Sequence, residues 1–266
     1  MKGRVLIVAG SDSGGGAGIQ ADLKAVTALG AFGATAITAL TAQNTRGVFG
    51  VFPVPPAFIT QQMSLVLEDI GADAIKTGML HSAEVIDAVV EVHERLAKDV
   101  PLIVDPVMVA KGGAPLLLPE AREALVGRLL PRAALLTPNL PEAEVLTGQT
   151  IDSVAAMRRA AETIRALGPR AVLLKGGHLE GPKVTDVLVT AEGERIFEDD
   201  RIETTSTHGT GCTLASAIAA GIAQGLGMEA AIRRARRYLR LAIEHAPGLG
   251  HGHGPLDHAV TVVPFD

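Results

Sequence analysis

The chain has 266 residues, 47% of them hydrophobic, which is enough for a substantial core and too apolar for a disordered polymer. Aromatic residues make up only 3%, with no tryptophan, and the formal charge is -5, so stacking platforms and a basic surface for nucleic acid are both lacking. A single cysteine, Cys212, precludes an internal disulfide, no apolar run is long enough to span a bilayer, and the run behind Met1-Lys2-Gly3-Arg4 is too short for a secretory signal; a soluble cytoplasmic protein is expected.

Arg4 to Ala9 predicts a buried strand, and the cluster Gly14-Gly15-Gly16-Ala17-Gly18 separates it from a helix through about Leu29. The rhythm repeats with a strand over Ala34 to Thr41, a helix over Ala57 to Glu68, a strand over Ala74 to Thr77 and a helix over Ala83 to Leu96. Val48 to Val54 reads as a small β excursion that ends in Pro53-Val54-Pro55-Pro56. Leu102 to Asp105 and Leu135 to Thr137 read as strands, each closed by a polar residue and proline. Ser153 to Leu167 is a helix, Ala171 to Lys175 a strand, and Val184 to Val189 with Arg195 to Phe197 an antiparallel edge hairpin. Gly211 to Gly225 and Glu229 to His245 are the closing helices. Apolar strands without alternation imply a sheet covered on both faces, so the expected fold is a three-layer α/β/α sandwich, mostly parallel, forming one domain over 1–266.

Ligands in such sheets gather beyond the carboxyl ends of the strands. The polar strand exits Asp12, Gln43, Asn44, Lys76, Asp105, Asn139 and Lys175 are therefore candidate site residues. His208-Gly209-Thr210-Gly211-Cys212 sets a glycine turn against a helix N-terminus, a geometry that suits an anion, and places a thiol whose pKa the helix end would lower. The glycines from Gly10 to Gly18 permit close approach to a small ligand, with Asp22 one turn inside the next helix and able to point back at it. Asn139 and Glu142 offer an oxygen pair suited to hydrated Mg²⁺, or Asn139 simply caps the helix that begins at Pro141. Lys175-Gly176-Gly177-His178 places a cation where phosphate oxygens can reach it.

Other chemistries fit less well. No phosphate-loop motif is present, no Gly-x-Ser-x-Gly serine is found, and the histidines lack zinc spacing; the His251 to His258 tail reads as a surface turn. Pairing of Cys212 with His208 as a thiol protease stays open, although the anion-binding geometry favours phosphoryl transfer. The arginines between Arg233 and Arg240 read as a solvated helix face.

Several segments carry a resemblance over nearly the whole chain: Ala9 to Lys24, Thr38 to Thr45, Lys76 to Leu80, Asp105 to Gly113, Leu136 to Glu142, Lys175 to His178 and His208 to Thr213. Together they resemble the hydroxymethylpyrimidine/phosphomethylpyrimidine kinases of the ribokinase superfamily. The resemblance implies ATP- and Mg²⁺-dependent phosphorylation of 4-amino-5-hydroxymethyl-2-methylpyrimidine and then of its monophosphate, in thiamine biosynthesis. It implies ring contacts from Gly10, Ala17, Asp22, Gln43, Met79 and Val107, and an anion hole from Gly209, Thr210, Gly211 and Cys212. Asp105 and Glu142 would serve Mg²⁺, with Asn139, Glu142 and Lys175 at the ATP phosphates. Sugar kinases of the superfamily place an aspartate base where Cys212 stands, so a thiolate base is one option and transfer with little base help the other. Arg236 stands where relatives commonly have lysine, which leaves its role open. A homodimer is a further implication, and no segment is left over for a fused condensing enzyme. Pyridoxal or pyridoxine phosphorylation is the alternative enzyme reading, and a non-catalytic small-ligand sensor the alternative outside enzymes.

Overall fold

The structure, a computed structural model, describes residues 1–110 and 113–263. Lys111 and Gly112, part of the Asp105 to Gly113 segment, lie outside the described residues. The chain starts with β1 (Arg4–Asp12), α1 (Gly18–Ala28), β2 (Phe32–Asn44), β3 (Gly47–Pro53), α2 (Pro56–Asp69), β4 (Ala74–Thr77), α3 (Ala83–Leu96) and β5 (Leu102–Val104). A short α4 (Ala121–Ala124) runs on through a wide turn at Leu125–Leu129 and a tight one at Leu130–Arg132. Then come β6 (Leu135–Leu136), α5 (Leu140–Thr147), α6 (Val154–Arg165), β7 (Val172–Leu174), β8 (Lys183–Thr190), β9 (Gly193–Asp200), α7 (Thr210–Ala223) and α8 (Met228–Glu244).

All nine strands form one sheet, in the order β3-β2-β1-β4-β5-β6-β7-β8-β9. The strands from β2 to β7 are parallel, while β3 at one edge and β8 and β9 at the other run antiparallel to their neighbours. The expected mostly parallel sandwich is thus present, with the Val48 to Val54 excursion forming a second antiparallel edge. Side-chain alternation divides the core. Leu6 and Val8 of β1 pack with residues of α2, α3 and α6, whereas Val5, Ile7 and Ala9 pack with α1, α7 and α8. The same split recurs at Leu102 and Val104 against Ile103, and at Val172 and Leu174 against Leu173. Two helix layers therefore cover both faces, as the apolar strands predict.

The helical stretch from Ala121 to Arg132 has no counterpart in the sequence reading. Its buried Ala121, Leu125 and Leu129 recur every fourth residue on one face, and Leu130 and Pro131 close the stretch in a tight last turn. Strand order reverses around β1, with β2 on one side and β4 on the other, and this opens a crevice at their carboxyl ends.

Candidate active site

The crevice is a cavity of about 770 Å³. Gly10, Ala17, Gln43, Met79 and Val107 line it, as do Asp105, Asn139, Glu142, Lys175 and the turn from Gly209 to Cys212. The sequence-predicted site thus converges except at Asp22, and among the strand exits except at Lys76 and Asn44. Asn44 is exposed and accepts from the Arg46 amide across the β2–β3 turn.

At one end β1 supplies Gly10 and the segment just after β4 supplies Met79; a Cβ on Gly10 would lie 3.0 Å from the Met79 sulfur, so glycine leaves room for the thioether. Asp12 organises the loop that follows. Its carboxylate accepts from the amides of Gly14 (2.8 Å), Gly16 (3.1 Å) and Ala17 (2.8 Å), and from Nε2 of His208 at 2.8 Å. Burial works to raise its pKa, yet these donors hold the carboxyl below its ordinary value. The Ala17 amide is thereby occupied, so Ala17 can offer a ring contact by shape but not by donating from its main chain.

At the other end Gly209 takes φ +81° to start α7, and a Cβ there would meet the Gly16 carbonyl oxygen at 1.9 Å. Only glycine allows this contact between the two glycine segments. The first turn of α7 presents backbone amides with no helical acceptor. A Cβ on Gly211 would sit 3.2 Å from Lys175 Nζ and 3.5 Å from Asp105 Oδ2, so cation and carboxylate lie against that helix end. Lys175 donates to Asp105 at 2.9 Å, and the Thr137 hydroxyl donates to the same oxygen at 3.1 Å. Burial works to lower the Lys175 pKa, but the charges of Asp105 and Glu142 hold it raised, and the ammonium stays protonated.

Asn139 and Glu142 form a capping box: the Asn139 side chain accepts from the Glu142 amide and Glu142 accepts from the Asn139 amide, both at 2.9 Å. The capping reading of Asn139 is therefore correct locally, and each side chain still lines the cavity. Burial first, and the Asp105 charge after it, push the Glu142 carboxyl up to about 7. Among the described residues no three His, Cys, Asp or Glu side chains converge as a ready-made metal cage. The donors fit Mg²⁺ in another way, since that ion keeps several waters and needs only one or two carboxylates besides phosphate oxygens.

Four expectations need correction. Asp22 does not face the cavity: it is fully buried, 2.8 and 2.9 Å from Lys76 Nζ, and accepts from Ser216 at 2.6 Å. A carboxylate in the interior is held by its counter-ion, so Asp22 and Lys76 tie α1, β4 and α7 together beneath the anion turn. Desolvation pushes the half-buried Cys212 thiol up to about 12, overriding the helix end, which argues against the thiolate base that the helix N-terminus alone suggests. His208 gives its Nε2 to Asp12, not to Cys212, which removes the thiol-protease pairing. Arg236 is buried, not solvated, and bonds to Asp186 and Asp199, while Asp186 accepts from the Gly176 amide at 2.9 Å. It braces the Lys175 turn from α8.

The role of His208 escaped the sequence reading; the available signal was a histidine opening the glycine turn and an aspartate preceding the glycine run. The histidine tail is an exposed turn only over 251–253, where the His253 amide donates to the Thr45 carbonyl at 2.8 Å and the residue lines the cavity; its end is not surface, since His258 is buried with its ring 2.9 Å from the Thr213 hydroxyl.

A cation and carboxylate at a helix N-terminus, facing a ring-sized apolar end, define a small-molecule phosphotransferase pocket in an α/β/α sandwich. The sequence model of the phosphomethylpyrimidine kinase family matches residues 12–257. The chain is 54% identical over 264 residues to the thiamine biosynthesis bifunctional protein ThiED of Geobacter sulfurreducens, covering 98% of this chain and 53% of that protein. It is 49% identical over 254 residues to the hydroxymethylpyrimidine/phosphomethylpyrimidine kinase of Streptomyces coelicolor, covering 96% and 93%. The pyridoxal kinase of Staphylococcus aureus in complex with ADP superposes with a TM-score of 0.90 at 36% identity, covering 98% of this chain and 95% of that one. The chain therefore belongs to the phosphomethylpyrimidine kinase family, with the ribokinase-like fold. It spans about half the length of the Geobacter relative and nearly all of the Streptomyces one. Among the described residues no helix is long and apolar enough to cross a membrane.

Proposed function

We propose that this chain uses ATP and Mg²⁺ to phosphorylate the hydroxymethyl group of 4-amino-5-hydroxymethyl-2-methylpyrimidine, and then the monophosphate to the diphosphate. The observation that carries this reading is the contact of Lys175 and Asp105 with the first turn of α7, in the same cavity as Gln43 and Met79. Gln43 supplies hydrogen bonds to the ring, and Gly10, Met79 and Val107 pack on it. Lys175 and the amides from Gly209 to Cys212 take the charge of the transferring phosphoryl group. When bound, Mg²⁺ supplies further neutralisation of the nucleotide phosphates, held by Asp105 and Glu142. With Cys212 protonated, positioning and charge carry the rate, as a loose phosphoryl transition state allows. The second transfer requires the monophosphate to turn its phosphate toward the same amides.

The structural likeness to a pyridoxal kinase favours a second reading, phosphorylation of a pyridoxal-type ring. ADP formation with each ring, with and without Mg²⁺, separates the two: faster turnover of the aminopyrimidine supports the first, and tight ring binding without ADP sinks both in favour of a sensor. A homodimer is also proposed, through the face made by β3 and α2, where Phe49 and Phe52 of β3 and Phe58 of α2 stand exposed. A monomeric mass in solution would overturn it.

A further inference from the structure

We propose that His208, fixed by Asp12, acts as a positioning residue that sets which way round the Gln43 amide faces the ring, and so selects a ring with an adjacent acceptor and donor. This rests on Gln43 being the ring contact. His208 is buried at the meeting of three segments: a Cβ on Gly16 would lie 2.4 Å from its Cδ2, and its amide donates to the Gly254 carbonyl at 3.1 Å. The Asp12 oxygen at 2.8 Å from Nε2 also accepts from the amides of Gly16 and Ala17. An ionised carboxylate only accepts, so Nε2 carries a proton and donates it to Asp12.

That proton constrains the next residue. The Gln43 side chain is placed with its Nε2 3.3 Å from His208 Nε2 and its Oε1 3.1 Å from the Thr41 hydroxyl, and because a half-turn of the amide exchanges its two ends, the hydrogen-bond network decides between them. With the NH₂ toward His208, a donor would face a donor. Placing the amide oxygen toward His208 removes the conflict, because the Nε2 proton, held mainly by Asp12 at 2.8 Å, can be shared with that oxygen at 3.3 Å, while the Thr41 hydroxyl donates to the Ser11 carbonyl at 2.9 Å and can accept from the Gln43 NH₂. The chain from Asp12 through His208 and Gln43 to Thr41 then has every proton placed. The amide keeps one N–H and one oxygen lone pair for a ligand, in an order that a flip would reverse. An aminopyrimidine matches such a pair with its ring nitrogen and adjacent amino group. A pyridoxal-type ring has no amino group beside its nitrogen and matches only half of it.

The test is calorimetric binding of the aminopyrimidine and of pyridoxine, without nucleotide, to the wild type, Gln43→Ala, His208→Leu and His208→Gln. The glutamine NH₂ can replace the Nε2–H donor. His208→Leu should lose roughly tenfold in aminopyrimidine affinity, the worth of one fixed hydrogen bond, with little change for pyridoxine. His208→Gln should regain most of that loss. Equal loss for both rings, or none, overturns the relay. If Gln43→Ala binds both rings as the wild type does, the ring contact itself fails; if Gln43→Ala weakens binding while His208→Leu does not, only the relay fails. Should His208→Leu not fold, ¹⁵N spectra of wild-type His208 decide: a protonated Nε2 supports the relay and a bare Nε2 overturns it.

Discussion

Lys76 and Asp22 form a fully buried ion pair, with Ser216 as the third member, so removing one charge strands the other in the interior. Lys76→Met leaves a carboxylate with Ser216 as its remaining side-chain donor, and Asp22→Leu leaves an ammonium with no counter-ion in contact. Breaking a buried pair this way costs about 3–5 kcal/mol. In a chain of this size each 1 kcal/mol moves the melting temperature by about 2–4 °C, so each single variant should melt roughly 6–20 °C lower. The double variant removes both charges and leaves only the Ser216 hydroxyl without its acceptor, a loss of about 1–3 kcal/mol, so it should be more stable than either single variant. Urea unfolding of the four proteins measures the coupling. Wild-type stability in Lys76→Met, or a double variant as unstable as the sum of the singles, would refute the electrostatic account of this clamp.

The Glu142 carboxyl, raised from 4.5 to about 7 by burial, favours the native state fully below pH 4.5, and this contribution is lost as pH rises through about 7. Glu142→Gln should keep the capping box yet flatten the fall in stability between pH 5 and 7, a difference of roughly 3 kcal/mol by urea unfolding at pH 8. An unchanged slope would contradict the burial effect. With its thiol pKa near 12, Cys212 is about 10⁻⁴ thiolate at pH 8, so Cys212→Ala should preserve the shape of the pH–rate profile between pH 6 and 9. Loss of an ionisation from that profile would restore the thiolate base. Arg236→Met should cost about 3–5 kcal/mol by stranding buried Asp186, and Arg236→Lys less, because lysine keeps the charge but not the fork that reaches Asp199 as well. Equal melting temperatures for the two variants would count against the bracing role.

Strand exits were legible because buried parallel strands read as short apolar runs and end at polar residues; Asp105, Asn139 and Lys175 were found that way. The glycine turn at Gly209 was legible for a related reason, as glycine is required where a Cβ would strike Gly16. What escaped was pairing across long separations. Asp22 with Lys76, Asp12 with His208 and Arg236 with Asp186 join residues far apart in the chain, and nothing local in the sequence says that an aspartate one turn into α1 turns inward. The protonation of Cys212 was hidden likewise, because a helix N-terminus is visible in sequence and the burial that outweighs it is not.

In the proposed reaction one cavity performs both phosphoryl transfers on an aminopyrimidine. A ³¹P NMR time course with ATP, Mg²⁺ and 4-amino-5-hydroxymethyl-2-methylpyrimidine tests it most directly. A monophosphate should rise first and a diphosphate follow at its expense, with neither formed without Mg²⁺. Phosphorylation of pyridoxine under the same conditions, with the aminopyrimidine left unmodified, would contradict it.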